Sequence, residues 1–354
     1  MNILIRKVVS FAIDNNKNVI ISDCDNNLVG EQQGRVIKIN ESGKMELIFE
    51  TNMRLKSPVI GKEGFIYVTT TDITENRHKL FCLFSDGKLK WEYEFNRRFP
   101  YIHSKPVIDK EGNIYICACN DEKGAMYSIN KEGILNWQYK CNAVISCEPI
   151  IAYTEIIYLV LSMHSLCGID KRGRRIYSKK LDGGMGMYPF NIRNDGTIFI
   201  CPSNILYALD PNGNEKWSYK PEEGNVLHSP SLDHEGNLYT NLSNFRLVSL
   251  SGEGKEQWIA KIKGSAVNPP IMGCNGMLYQ QSFLPNKSQY TSWIEVFSKN
   301  GEKQWEYEMK GDIISSALTD DSIYILTNCH SKIKNIRDGK DNVKWQLHKL
   351  VMRK

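Results

Sequence analysis

The chain has 354 residues, of which 41% are hydrophobic and 24% charged, the balance of an ordinary globular protein rather than a disordered or fibrous one. Its 45 basic and 40 acidic residues give a formal net charge of +5 spread along the chain. There is no basic cluster or arginine-rich helix to track phosphates, so nucleic acid is not expected as a partner. No apolar run reaches the roughly 18 to 20 residues that a membrane span requires, and the opening MNILIRKVVSFAIDNNKNVI lacks a small-residue cleavage site, so neither anchoring nor secretion is expected.

In chain order, the first recognisable unit is AIDNNKNVII from Ala12, which aligns without a gap on VIDKEGNIYI from Val107. The same turn and strand recur as GFIYVTT at Gly64, GNIYICA at Gly112, EIIYLVL at Glu155, GTIFICP at Gly196, GNLYTNL at Gly236, GMLYQQS at Gly276 and DSIYILT at Asp321. Each pairs a turn signal with a β-branched and aromatic run, which predicts a strand. Downstream of each comes a second turn and often a tryptophan: Trp91, Trp137, Trp217, Trp258, Trp305 and, with two extra residues, Trp345, while Leu47 and Tyr177 stand at the same place in two degenerate copies.

These eight anchors are separated by 44, 46, 40, 40, 41, 47 and 40 residues, a period of about 43 that matches a four-stranded propeller blade. No segment sustains a 3.6-residue apolar period, so the chain is predicted all-β. The expected fold is an eight-bladed β-propeller of four-stranded antiparallel blades, seven blades being the alternative, built as one domain over residues 1–354. The chain starts inside an innermost strand and ends on an outer one, which leaves open that Asn2 to Val9 supplies a ring-closing strand beside the last blade.

The stretch LYALDPNGNEKW at Leu206 to Trp217 resembles the tryptophan-docking repeat of the pyrroloquinoline-quinone-type, quinoprotein dehydrogenase-like propellers. That superfamily also contains the outer-membrane assembly lipoprotein propeller, and its repeats are WD40-like in length. The resemblance covers about residues 11 to 350. It implies that a turn glycine packs on a docked indole and that a small residue opens the short stretch before the turn. The matching glycines are Gly43, Gly87, Gly133, Gly173, Gly213, Gly254, Gly301 and Gly339, and the small residues are Cys82, Ser128, Gly168, Ala208 and Ser249, with Lys38 and Val296 departing in blades one and seven. The periodic tryptophans are accordingly expected to be structural. Trp293 falls outside the period, after SFLPNKSQYTS, and either forms an exposed aromatic patch for a partner with Phe283, Leu284 and Tyr290 or folds back on its own blade.

The resemblance does not extend to the family's cofactor. Its dehydrogenases hold the quinone between a tryptophan and two adjacent half-cystines, with calcium on carboxylate and amide oxygens, whereas CAC at Cys117 to Cys119 has Ala118 between the thiols, and no Asp-rich calcium loop is evident. Those two thiols share a strand face and suit packing or a metal. No cofactor, metal or catalytic residue is therefore assigned. The ten cysteines lie mostly in apolar strand-like runs, as in a reducing cytoplasm. The seven histidines show no ligand-set spacing.

Propeller sites assemble from several blades, so the informative column is the segment entering each innermost strand: RLKSP, IHSKP, ISCEP, GMYP, VLHSP and VNPP, ending at Pro58, Pro106, Pro149, Pro189, Pro230 and Pro270. Ahead of the prolines stand Lys56, His103, Lys105, Glu148, Tyr188, His228 and Asn268, expected at one channel mouth, either as a solvated rim or as a site for a protein partner or a small anionic or polar ligand. The function read from the sequence is a non-catalytic cytoplasmic binding scaffold. The alternative is an enzyme at the mouth, either a quinone-dependent oxidoreductase or a metal-assisted lyase or hydrolase using His103, Glu148 and His228. Partner identity and oligomeric state are not encoded in these motifs.

Overall fold

The computed structural model describes residues 7–24, 33–71, 77–99, 101–102, 104–145, 147–162, 165–181, 190–202, 204–266, 268–285, 290–330 and 343–351. These residues form strands and turns without a helix, arranged as eight antiparallel sheets in chain order. The fold is an eight-bladed β-propeller. The chain groups into two compact units, Met1–Ile151 with Glu155–Ser178, and Ala152–Thr154 with Lys179–Lys354.

Sheet 1 shows the plan, with Lys7–Ile13, Val19–Cys24, Gly34–Ile39 and Met45–Thr51 hydrogen-bonded in that order as an up-and-down meander. Lys7 to Val9 thus belong to the first strand of sheet 1, where Lys7 pairs with Cys24, and the alternative of a strand beside the last blade is not what the described residues show. Sheets 2, 3 and 7 have the same order, but the first strand is split into two short pieces that both pair with the second strand. Sheet 8 has three described strands, Asp312–Leu318, Ser322–His330 and Val343–Val351. Trp345 there pairs with Asn328 of the second strand, and residues 331–342 and Gly339 with them lie outside the described residues.

The turn between first and second strands explains the recurring Asp-x-x-Gly-Asn-x-Tyr signature. In sheet 3, Asp109 Oδ1 accepts the amides of Glu111 and Asn113 at 3.0 and 2.8 Å, while Oδ2 accepts Asn113 Nδ2 at 3.0 Å and the Tyr115 hydroxyl at 2.9 Å. One carboxylate thereby satisfies the turn and pins the buried tyrosine. Asp233, Asn237 and Tyr239 repeat the arrangement in sheet 6.

Consecutive sheets pack through apolar faces whose members alternate along each strand. Tyr115, Cys117 and Met126 of sheet 3 meet Leu159 and Cys167 of sheet 4, and Tyr239 and Leu247 of sheet 6 meet Leu278 and Phe297 of sheet 7. Tryptophan docking closes the outer part of these seams. Trp91, Trp137, Trp217 and Trp258 sit opposite Cys82, Ser128, Ala208 and Ser249 in register. Their indole N–H groups donate to the carbonyls of Lys131, Lys171, Gly252 and Lys299 at 2.9, 2.7, 3.2 and 2.9 Å on the next sheet. At Gly254, φ is +80° and an added Cβ would lie 2.6 Å from Trp217 Cε3, so only glycine lets the ring lie on the backbone.

Sheet 1 departs from this pattern because its third strand has Lys38 where a small residue belongs. The bulge lies two residues from its place in sheet 2, Leu47 pairs with Ile37 and remains 42% exposed, and Ile48 is the residue that lies over Gly87.

Candidate functional site

The split of the first strand is caused by the proline expected at its start. Proline has no N–H for the ladder, and the second piece begins directly after it, as Val59–Ile60 after Pro58, Val107–Ile108 after Pro106 and Ile271–Met272 after Pro270. The carbonyls exposed by the break are taken by side chains of the preceding sheet. Ser22 Oγ donates to the Lys56 carbonyl at 2.7 Å, Asn191 Nδ2 to that of Pro230 at 2.6 Å, Asn241 Nδ2 to that of Asn268 at 3.0 Å, and Ser231 Oγ to that of Pro270. These breaks are therefore braced, and the site residues stand one or two positions before the proline.

In the first unit, Lys56 is half-buried, and its pKa is held below the usual lysine value by burial and then by the Arg54 guanidinium. Lys105 is exposed, and its backbone N–H donates to Glu148 Oε1 at 3.2 Å. Sheets 3 and 4 thus place the Glu148 carboxylate against the Lys105 backbone. Around Glu148 the surroundings are thiol-rich: burial pushes Cys147 up to about 11 and raises Cys117 well above the usual thiol range, the thiols of Cys147, Cys141 and Cys119 adding to the latter. Such thiols stay protonated and unreactive.

In the second unit, His228 and Asn268 stand at the breaks of sheets 6 and 7. Asn268 is exposed. His228 is only 3% exposed, and burial lowers its pKa to about 4 against an opposing hydrogen bond with the Ala266 backbone. The imidazole is neutral near pH 7 and adds no positive charge at that break. His103 and Tyr188 lie outside the described residues.

Of the two alternatives for Trp293, the exposed patch and the return to its own blade, the structure shows the second: it belongs to the strand Tyr290–Phe297, 8% exposed, opposite Ser282. Its indole N–H donates to Glu308 Oε2 at 3.1 Å, and Lys263 Nζ stands 5.5 Å from the ring centroid. The long connection is an extended hairpin, and its strand alternation turns Trp293 inward. Leu284 and Tyr290, toward the hairpin end, are the exposed members at 37% and 40%.

Sequence reasoning missed a set of buried amides near Asn268: Asn241, Gln280 and Gln281, each 0% exposed. The available signal was the second strands LYTNL and LYQQS, whose polar centres replace the apolar ones of IYICA and IYLVL.

Residues 202–346 match the family described as outer membrane protein assembly factor BamB, and the tryptophan-on-glycine docking of that repeat is present in both units. Residues 202–346 thus carry a repeat of the pyrroloquinoline-quinone-like kind within an eight-bladed propeller. Solved structures agree with this propeller fold. The C-terminal WD40 domain of Sif2 superposes with a TM-score of 0.63 at 11% identity over 91% of this chain and 93% of that one. A europium-containing methanol dehydrogenase gives 0.59 at 9% identity over 89% and 81%. BamB from Moraxella catarrhalis gives 0.52 at 10% identity over 76% and 92%. No match was found among curated protein sequences. At such identities the likeness shows the fold alone.

The residues of this quinone-like propeller do not fit the cofactor of its dehydrogenase relatives. Cys117 and Cys119 are both free thiols buried in a strand with Ala118 between them. Among the described residues no three His, Cys, Asp or Glu side chains come together in an arrangement that holds a metal ion.

Proposed function

We propose that the protein is a binding scaffold that holds a protein or a small polar or anionic ligand through the segments preceding its first-strand prolines, in a reducing, cytoplasmic setting. The observation that carries this reading is a recurring, braced backbone frame displaying different polar side chains in sheets 2, 3, 4 and 7: Lys105 and Glu148 one residue before the strand-opening proline, Lys56 and Asn268 two residues before it. Packing does not select them, since Lys105 and Asn268 are exposed, and variation inside a rigid frame is how propellers acquire partner specificity. The matched family is described as an assembly factor, which supports a partner-holding role. The nine cysteines whose side chains are described are free thiols, which supports the setting.

The test is affinity capture from native cells with immobilised protein, comparing the parent, the Lys56→Glu/Lys105→Glu variant and the control Lys88→Glu. Charge reversal at desolvated interface positions typically costs a few kcal/mol, so a captured partner should be lost with the double variant and retained with the control. An identical captured set from all three proteins sinks the reading.

A further inference from the structure

The seam between sheets 6 and 7 differs in kind from the other described seams. Tyr239 and Leu278 pack against one another across it. Side chains alternate along a strand, so Asn241, two residues after Tyr239, and Gln280, two residues after Leu278, face each other across the same seam. The equivalent facing pairs are Ser22 and Val68, Thr69 and Ile116, and Cys117 and Leu159, in which one partner is always apolar. Here both are amides and both are fully buried.

Each amide spends its NH2 group on a backbone carbonyl: Asn241 Nδ2 on Asn268 at 3.0 Å and Gln280 Nε2 on Gln281 at 2.7 Å. Those bonds set the amide orientation and leave the oxygens turned the other way. Among the described residues no donor meets Asn241 Oδ1 or Gln280 Oε1. A buried carbonyl without a donor is unfavourable, and two of them at facing positions of one seam, where the equivalent pairs above keep an apolar partner, are not accounted for by packing. The surroundings favour positive charge. Glu295, in register with Gln280 and 0% exposed, binds Lys303 Nζ at 2.8 Å, while Glu306 pairs with Lys263 and Lys303, and Glu308 holds the Trp293 indole. Three carboxylates thus stand against two ammonium groups. Asn268, exposed at the broken first strand of sheet 7, accepts the Asn241 amide through its carbonyl and so stands at the solvent side of the seam.

We propose that this seam is a binding site for a planar fork of N–H donors, a guanidinium group, clamped between Asn241 Oδ1 and Gln280 Oε1 and entering past Asn268. A guanidinium carries N–H donors on several edges of one plane and can serve two acceptors on either side of it at once, as an ammonium point charge does not. The guanidinium comes either from a free small molecule or from an arginine side chain of a bound peptide, and both present the same group.

The inference rests on a binding role for the protein, but the two fail separately, because capture of a partner tests the exposed segments and small probes test the seam alone. The probes are L-argininamide, an arginine-containing tripeptide and tetramethylammonium, which carries charge without donors. They are titrated calorimetrically into the parent, Gln280→Met and Asn241→Leu. The expected result is saturable binding of argininamide or the tripeptide to the parent, at least tenfold weaker in either variant, with none for tetramethylammonium. Tighter binding of the tripeptide assigns the site to a peptide arginine, and equal or tighter binding of argininamide assigns it to a small molecule. The unliganded Gln280→Met protein should melt no lower than the parent, since an orphan oxygen has been removed, which separates lost binding from lost folding. Absence of binding by either guanidinium probe, or equal binding by parent and variants as at adventitious surface carboxylates, overturns the proposal.

Discussion

A double-mutant cycle on Trp217 and Gly254 tests whether docking is what ties neighbouring sheets together. Truncating a buried aromatic costs about 3 to 5 kcal/mol. Trp217 is half-buried and donates one hydrogen bond, to Gly252, which places Trp217→Ala near the lower end, about 3 kcal/mol with roughly 1 from that bond. Gly254→Ala suffers twice. Its φ of +80° disfavours any Cβ, costing about 1.5 kcal/mol, and the new methyl would stand 2.6 Å from the indole and expel it, bringing the total to about 3.5 kcal/mol. In the absence of the indole only the backbone penalty remains, so the double variant should lose about 4.5 kcal/mol and not the sum of about 6.5, a coupling of about 2 kcal/mol. Urea unfolding followed by far-UV circular dichroism, with unchanged m-values, reads each corner of the cycle. Losses that add to within about 0.5 kcal/mol would show that ring and glycine do not act as one contact, and the docking account would be wrong.

Lys17 adopts φ of 60° in the turn where sheets 2 and 3 have Gly64 and Gly112, so Lys17→Gly should stabilise by about 1 kcal/mol, seen as a higher urea midpoint. Glu155, at φ of 66°, pairs with Lys171 and Lys110 at 3.2 and 3.3 Å. Glu155→Gly should therefore change stability by less than about 0.5 kcal/mol, relief of the backbone offsetting two exposed ion pairs. His228 is neutral in the fold down to about pH 4, whereas the unfolded chain takes up a proton near pH 6.5. Its contribution is thus present above pH 6.5 and is lost as pH falls toward 4, about 2 kcal/mol by pH 5; His228→Asn should flatten that part of the urea-midpoint profile, and an unaltered slope would contradict the burial argument. Asp23 is 0% exposed and bound by Arg35 through Nε at 3.0 Å and Nη2 at 2.5 Å, so Arg35→Ala should cost about 3 to 5 kcal/mol by leaving a buried carboxylate without its ion-pair partner, measured by the same melts.

What was legible in the sequence is what local chemistry decides. Asp109, Gly112, Asn113 and Tyr115 lie within seven positions and build one turn by themselves, so their recurrence announces a blade wherever it is written. The tryptophan at a set distance from the next turn is nearly as local, because the small residue opposite it lies on the adjoining strand. The misread features depend on the partner strand. Leu47 stands at the anchor position in the sequence, but the bulge lies two residues from its usual place and gives Ile48 the place over Gly87. Trp293 looked like a loop aromatic because strand propensity does not reveal that two long strands run on beyond the usual blade length. The proline column was found, yet the charge of His228 was not, since protonation depends on the desolvation imposed by the surrounding sheets. Asn241 and Gln280 matter only as a pair, and their opposition across a seam is a tertiary fact.

The two ends of each blade therefore carry different constraints. At the turn end, Lys131, Lys171 and Lys299 each offer a backbone carbonyl to an indole and a side-chain ammonium to a glutamate of the preceding sheet, Glu63, Glu111 and Glu235, at 3.9, 2.9 and 3.2 Å. The ion pairs are exposed and contribute little, but the carbonyl and the glycine two positions later admit few alternatives, so this end keeps its spelling from repeat to repeat. At the proline end, the backbone is braced by single side chains of the preceding sheet, Ser22, Asn191 and Asn241, and the residue just before the proline makes no comparable structural contact at Lys105 or Asn268, where only backbone atoms are engaged. A blade can change its side chain there without loosening the next blade. Chemical diversity accumulates where the fold does not depend on it, and a polar seam such as that of Asn241 and Gln280, which does cost stability, is informative because it lies where the repeat would otherwise have placed an apolar side chain.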